Sequence, residues 1–343
     1  MKNSIYRYNT KAFTLVELLV VVAILAIISS FVFSQFGNTQ KRSAEKVSIA
    51  NQQAINRAVQ SFLALNNGTG LNYLDACIDA TTPFGTAGQF IPTQASSSSP
   101  TLAGGIYRGP KYSSVTGGAV DQTLKEKNNG LNESLVNKST LYYLSATDVA
   151  SLKRLGFIRA MYFNFSTMGG NGNGIPLTFT GQDTGQGLPP GTEILGNGIA
   201  GPGFRMEHVN CFRTPLAVGM PVMAIDPYKG ASLYKTFGVE LKKADGSAIA
   251  NEAEAQALAA GKVLLLFGLG SQSSIVGARY GGIDSAPRCE SLDYTYYRQY
   301  FLVIRMISGR QVTSMAEFAG VLDPMGQSVI DARFSNEWGG GNQ

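Results

Sequence analysis

The chain has 343 residues, 44% of them hydrophobic and only 15% charged, with 40 glycines. That supplies core for one large domain or two small ones, and it predicts long neutral loops instead of a densely charged cytosolic surface. The net charge of +5 falls to +2 once Lys2, Arg7 and Lys11 at the N-terminal end are set aside, which removes any argument for nucleic-acid binding.

Residues 1–12 form a short leader holding those three cations and no acid. The next 24 residues, 13–36, carry a single charge, Glu17. A helix of that length, at roughly 1.5 Å per residue, spans the ~30 Å core of a bilayer. A carboxylate inside such a run is costly unless something neutralises it, so Glu17 reads as functional. The three leader cations keep that end cytoplasmic and send the C-terminal bulk outside, with Lys41 and Arg42 opposing weakly. No Ala-x-Ala cleavage site follows the run, so the apolar helix is expected to stay in the mature protein.

The stretch Lys11-Ala12-Phe13-Thr14-Leu15-Val16-Glu17-Leu18-Leu19 and the apolar run behind it resemble the class III signal of type IV pilins and type II secretion pseudopilins. The resemblance covers roughly residues 1–65 and says little about the rest. It implies that a prepilin peptidase cuts between Ala12 and Phe13, that the new amine of Phe13 is methylated, and that Glu17 meets a neighbouring subunit's N-terminus. Two positions depart from the family. Ser34 stands where many pilins carry a helix-breaking proline, and Ala12 stands where glycine usually precedes the cut. Alanine is also small, so cleavage is still expected. Ser29, Ser30, Ser34 and Gly37 can soften the helix without a proline.

The helix continues through residues 38–65 with a changed character. Val47, Ala50, Ala54, Ala58, Phe62 and Leu65 recur at spacings of three and four and predict one apolar face. Gln52, Gln53, Asn56, Arg57 and Gln60 fill much of the remainder, and Asn66-Asn67-Gly68 is a stop signal. Helix from 13 to 65 would be roughly 80 Å long.

Residues 67–119, rich in Gly, Ser and Thr, read as loop with short strands at most. Ser145-Ala146-Thr147-Asp148 predicts a helix start, with Leu152 and Leu155 on one side and Gly156 as the stop. An aromatic strand is expected at 157–165, then Gly-rich loop at 166–203 with a Pro189-Pro190-Gly191 turn. Further strands are expected at 216–225, 234–241, 263–267 and 294–307. Asn251 and Glu254 predict the start of an Ala-rich helix that ends at Gly261. Strands with short helices after one long helix make an α+β protein with an antiparallel sheet. The pilin resemblance implies the same architecture, a long N-terminal helix packed on the sheet, here with large Gly-rich loops.

Enzyme motifs are missing. Gly268-Leu269-Gly270 follows a strand, but Ser273 stands where the next glycine of a dinucleotide fingerprint belongs, so a strand-ending turn is expected. His208 is the only histidine and has no recognisable partner motif. Cys77, Cys211 and Cys289 lack metal-ligand spacing. In an oxidising compartment one disulfide is plausible, and Cys211–Cys289 is the candidate pair because both lie in the more regular half. Leu322-Asp323-Pro324-Met325-Gly326 resembles the D-P-x-G turn near the C-terminus of major pseudopilins, where calcium can hold the last loops. Asp323 and Asp331 are the candidate oxygen ligands. The competing account, and the one preferred, is a proline-fixed turn with Asp323 accepting local hydrogen bonds and no cofactor.

The expected organisation is a leader at 1–12, a transmembrane and polymerisation helix at 13–66, and an α+β head at 67–343. The expected role is a non-enzymatic pilin-like or pseudopilin subunit. It would sit in the bacterial inner membrane with its N-terminus cytoplasmic, and assemble into a filament for protein secretion or a pilus. Its partners would be other pilin-like subunits, the prepilin peptidase and an inner-membrane assembly platform. The size resembles that of the tip-capping pseudopilin, which typically lacks the glutamate this chain has. Two alternatives stay open: a single-pass anchored envelope protein that does not polymerise, and a competence pilin for DNA uptake.

Overall fold

The computed structural model describes residues 15–68, 70–79, 84–91, 131–164, 191–197, 210–279, 281–292, 297–307 and 315–329; side chains at 27, 28, 30–42, 79, 91, 133, 163, 164, 194–197, 210, 211, 307 and 315 are not described. Of the Gly-rich loops expected at 67–119 and 166–203, residues 92–119, 166–190 and 198–203 lie outside these residues. The chain divides into two compact units, Met1–Lys46 and Val47–Gln343, and the division falls inside the first helix.

That helix, α1, runs Leu15–Leu65. Its stop is the one the sequence predicts. Asn66 N–H donates to Phe62 O at 3.0 Å and Gly68 N–H to Leu63 O at 2.6 Å, while Asn67 and Gly68 adopt positive φ, as a left-handed C-terminal cap requires.

Among the described residues ten strands make one sheet: β1 (Leu74–Asp79), β2 (Phe90–Ile91), β3 (Ser139–Tyr143), β4 (Arg159–Asn164), β5 (Glu193–Asn197), β6 (Asn210–Pro215), β7 (Pro221–Ile225), β8 (Lys262–Gly268), β9 (Phe301–Ile307) and β10 (Met315–Leu322). The order is β2-β3-β7-β8-β1-β4-β6-β5, with β9 on the other edge of β8 and β10 on β9. The expected antiparallel sheet is instead mixed, because β1 pairs with β4 in parallel while the other described pairs are antiparallel. A parallel neighbour needs a long crossover. Here β2, β3 and the helices between β1 and β4 supply it.

Short helices decorate the sheet: α2 (Glu133–Val136), α3 (Ala146–Arg154), α4 (Ala231–Thr236) and α5 (Glu252–Leu258). The start of α3 is a complete capping box. Ser145 Oγ accepts from Asp148 N–H at 3.1 Å, and Asp148 Oδ2 accepts from Ser145 N–H at 2.8 Å. Asp148 Oδ2 also takes the buried Tyr142 hydroxyl at 2.8 Å, which ties the cap to β3. At α5, Asn251 Oδ1 accepts from Glu254 N–H at 3.0 Å, as the sequence predicts.

Three expectations are corrected. The strand expected at 234–241 is helix α4 followed by coil: Leu233 and Tyr234 are buried from a helix that starts after Gly230. The strand expected at 216–225 begins only at Pro221, because residues 216–220 form the turn between β6 and β7. The strand expected at 294–307 begins only at Phe301, because residues 297–300 are coil with one isolated bridge, Arg288 to Gln299. The short strands allowed for in 67–119 are β1, whose Leu74, Ala76 and Ile78 are fully buried, and β2. The apolar run of β8, by contrast, is buried on both faces as its composition predicts.

Candidate functional site

The described apolar side chains of α1 begin at Leu15 and continue unbroken, save for Glu17, to Ala26. Leu15, Val16, Leu18, Leu19, Val20, Val21, Val22, Ile24 and Leu25 are all between 46% and 77% exposed. They occupy every side of the helix, a pattern that belongs to a helix covered by lipid or by other helices. Glu17 lies in the first turn and is exposed. That end of a helix carries a partial positive charge that favours a carboxylate. Ala12 and Phe13, the expected processing pair, lie outside the described residues. Among the described residues no helix is long and apolar enough to cross a membrane.

The C-terminal turns of α1 belong to the second unit and have a different character. Ser48, Gln52, Ile55, Val59 and Phe62 are buried. The predicted face was Val47, Ala50, Ala54, Ala58, Phe62 and Leu65. Of these only Phe62 is buried, while Val47 and Leu65 are exposed. Two polar positions turn inward because the head supplies partners. Gln52 Oε1 accepts from Val329 N–H at 2.9 Å, and the Tyr300 hydroxyl donates to Ser48 Oγ at 3.4 Å and accepts from Asn51 Nδ2 at 3.3 Å.

Beyond the helix, Asn72 stitches the chain into the head. Its side-chain oxygen accepts from Ile158 and Arg159 N–H at 3.2 and 2.8 Å, and its backbone N–H donates to Ser274 Oγ at 2.8 Å.

The Asp323 turn follows the preferred local account. Gly326 N–H donates to Asp323 O at 2.9 Å. The side-chain Oδ1 accepts from Met325 and Gln327 N–H at 3.0 and 2.8 Å. Burial pushes this carboxyl up to about 6, against those donors and the positive Lys138. Asp331, the other calcium candidate, lies outside the described residues, among which no group of three or more His, Cys, Asp or Glu is placed to hold a metal ion.

Cys289 is a buried free thiol with Ser291 Oγ 2.9 Å away. The expected Cys211–Cys289 bridge is therefore not made in this structure. Cys289 faces α1 near Ser48, whereas the Cys211 backbone sits in β6 opposite Phe163. His208 lies outside the described residues.

One cluster has no counterpart in the sequence reading. Asp75, 2% exposed, accepts from the Tyr297 hydroxyl at 2.7 Å. Burial pushes its carboxyl up to about 7, with Tyr297 holding it down only in part. Burial also raises the thiol of Cys77, two residues on, with Asp75 adding to the shift. Gly268 and Gly270 explain themselves here. A Cβ at Gly270 would collide with the Asp75 carboxylate, and one at Gly268 with the Tyr297 hydroxyl. The Gly-x-Gly turn is a cradle for a buried carboxyl. The cue available in the sequence was the pair of glycines, but nothing linked it to residues some 195 positions earlier.

The family model of the prokaryotic N-terminal methylation motif matches residues 7–33. This is the class III prepilin signal of type IV pilins and pseudopilins. It implies an N-terminus anchored in a membrane, points to processing by a prepilin peptidase and association with other pilin-like subunits, and suggests a structural subunit in preference to an enzyme. No curated protein and no solved structure matches the chain.

Proposed function

We propose that this chain is a pilin-like subunit of the bacterial inner membrane. It is cut between Ala12 and Phe13, methylated on the new amine, and polymerised through α1 into a filament that serves protein secretion or a pilus. The observation that supports this is the exposure of nine large apolar side chains around the whole circumference of α1, interrupted by one carboxylate, under a methylation motif.

Magnitudes favour the reading. Completing the burial of nine such side chains is worth on the order of 10 kcal/mol. A carboxylate costs at most about 2.5–3.5 kcal/mol on insertion scales, the value at a helix centre, so lipid tolerates Glu17 in the first turn but does not explain it. In a filament core, where apolar helices cover one another, the carboxylate finds the methylated amine of a neighbouring Phe13. That pairing sets register as well as charge. Within this class the length of the chain favours a pseudopilin or minor-pilin role over a major adhesive subunit.

Protein purified from membranes should begin at a methylated Phe13, and cysteine pairs placed along α1 should crosslink between subunits. An intact Met1, or a start beyond Ser30, overturns the reading. A processed chain that never crosslinks is an anchored monomer, the competing account.

A further inference from the structure

The sheet has a narrow junction. Strand β8 pairs with β9 along its whole length on one edge, from Lys262↔Ile307 to Gly268↔Phe301. On its other edge β7 pairs at Leu265 and Leu266, and β1 pairs at Gly268 alone, opposite Asp75. Among the described strands, β1, β4, β6 and β5 therefore join the rest of the ladder through a single residue pair. The side chain at that pair is the buried carboxyl.

Its surroundings offer little to a negative charge. Tyr297 supplies one hydroxyl, and Cys77 on the same strand supplies a thiol whose own ionisation Asp75 opposes. Neighbouring β4 presents Met161 in register, β8 presents Gly268, and the turn after β8 presents Gly270. The cation on β4, Arg159, is engaged by Glu193. No lysine or arginine is among the groups that shift the Asp75 carboxyl. The strand is also irregular here, since Cys77 has φ 54 and the β1–β4 register shifts between Asp75 and Asp79.

We propose that Asp75 is a proton-operated latch at the β1–β8 junction: the neutral carboxyl closes the two parts of the sheet, and ionisation loosens β1. An ionised carboxylate in apolar surroundings must reach water or lose its proton. Opening a one-pair junction is the route that sacrifices the fewest ladder bonds. The strand so released is the first one after α1, so the latch bears on how the helix is held in the head.

The sign follows from linkage. A carboxyl held near 7 when folded and about 4 when unfolded binds its proton more tightly in the folded state. Its stabilising contribution is whole below about pH 4, shrinks as pH rises, and is gone above about pH 7.

Hydrogen exchange on the full chain in detergent micelles, corrected for intrinsic rates, tests this between pH 5 and 8. The opening constant of the β1 amides should rise about tenfold per pH unit up to pH 7 and then level, while β9 amides change much less. Asp75→Asn should make the β1 profile flat, whatever Asp323 does near pH 6. Tyr297→Phe, which keeps the ring and removes the donor, should move the transition to higher pH. Parallel profiles in wild type and Asp75→Asn overturn the latch, as does a joint rise of β1 and β9. If Asp75→Asn does not fold, an unmoved transition in Tyr297→Phe overturns it equally.

Discussion

Between Leu15 and Leu25, α1 leaves nine large apolar side chains exposed, whereas between Ser48 and Phe62 it buries two polar side chains along with three apolar ones. The backbone is the same α-helix throughout. The difference teaches that apolar character does not by itself decide which face of a helix is covered; the partner decides. The head offers α1 a Val329 N–H and a Tyr300 hydroxyl, and so Gln52 and Ser48 turn inward. The N-terminal turns have apolar surface on every side, and only lipid or further helices can cover it.

The comparison predicts the largest effect at Glu17. Glu17→Ala should leave membrane insertion intact or improved by at most about 2.5–3.5 kcal/mol, the cost of a charge at a helix centre. It should disrupt assembly, because an amine buried without its partner costs roughly 3–5 kcal/mol, a hundredfold or more in the subunit equilibrium. Filament recovery and helix-to-helix crosslinking, measured beside monomer levels, check this. Assembly at wild-type level breaks the contrast between the two parts of α1.

A smaller effect separates the apolar residues of the two regions. Ile55→Ala, in a fully buried position, should lower head stability by about 2–5 kcal/mol. Leu18→Ala, in the exposed run, should leave head stability unchanged within about 0.5 kcal/mol. Denaturant midpoints in detergent distinguish them, and equal midpoints would contradict the burial pattern.

The smallest effect sharpens the contrast at a polar position. Gln52→Leu keeps the size but leaves the Val329 N–H without its acceptor, a loss of about 1–3 kcal/mol. If Gln52→Leu proves as stable as wild type, the inward polar face of α1 contributes nothing. Exchange at the Val329 amide reports the same loss directly.

Local chemistry was legible wherever a few adjacent residues suffice. The Ser145–Asp148 capping box, the Asn251 cap, the Asn67-Gly68 stop, the buried run of β8 and the turn at Asp323 each follow from spacing within about five residues. The methylation motif is of the same kind, since its chemistry lies in one contiguous signal. These are short-range interactions, and the sequence by itself determined them.

Only the tertiary structure decided what depends on distant partners. Whether Gln52 or Ala54 faces inward depends on residues 277 positions away. Residue 234 is helix because its Tyr fits the core that way, though its neighbours have the composition of a strand. The parallel β1–β4 pair mixes a sheet that each strand's pattern alone would allow to be antiparallel. Asp75 became a buried carboxyl when β8 and the Tyr297 segment closed over it, across a sequence separation of 222 residues. Burial energy is collected between elements, so a chain read one window at a time shows which faces are apolar but not which of them will be covered.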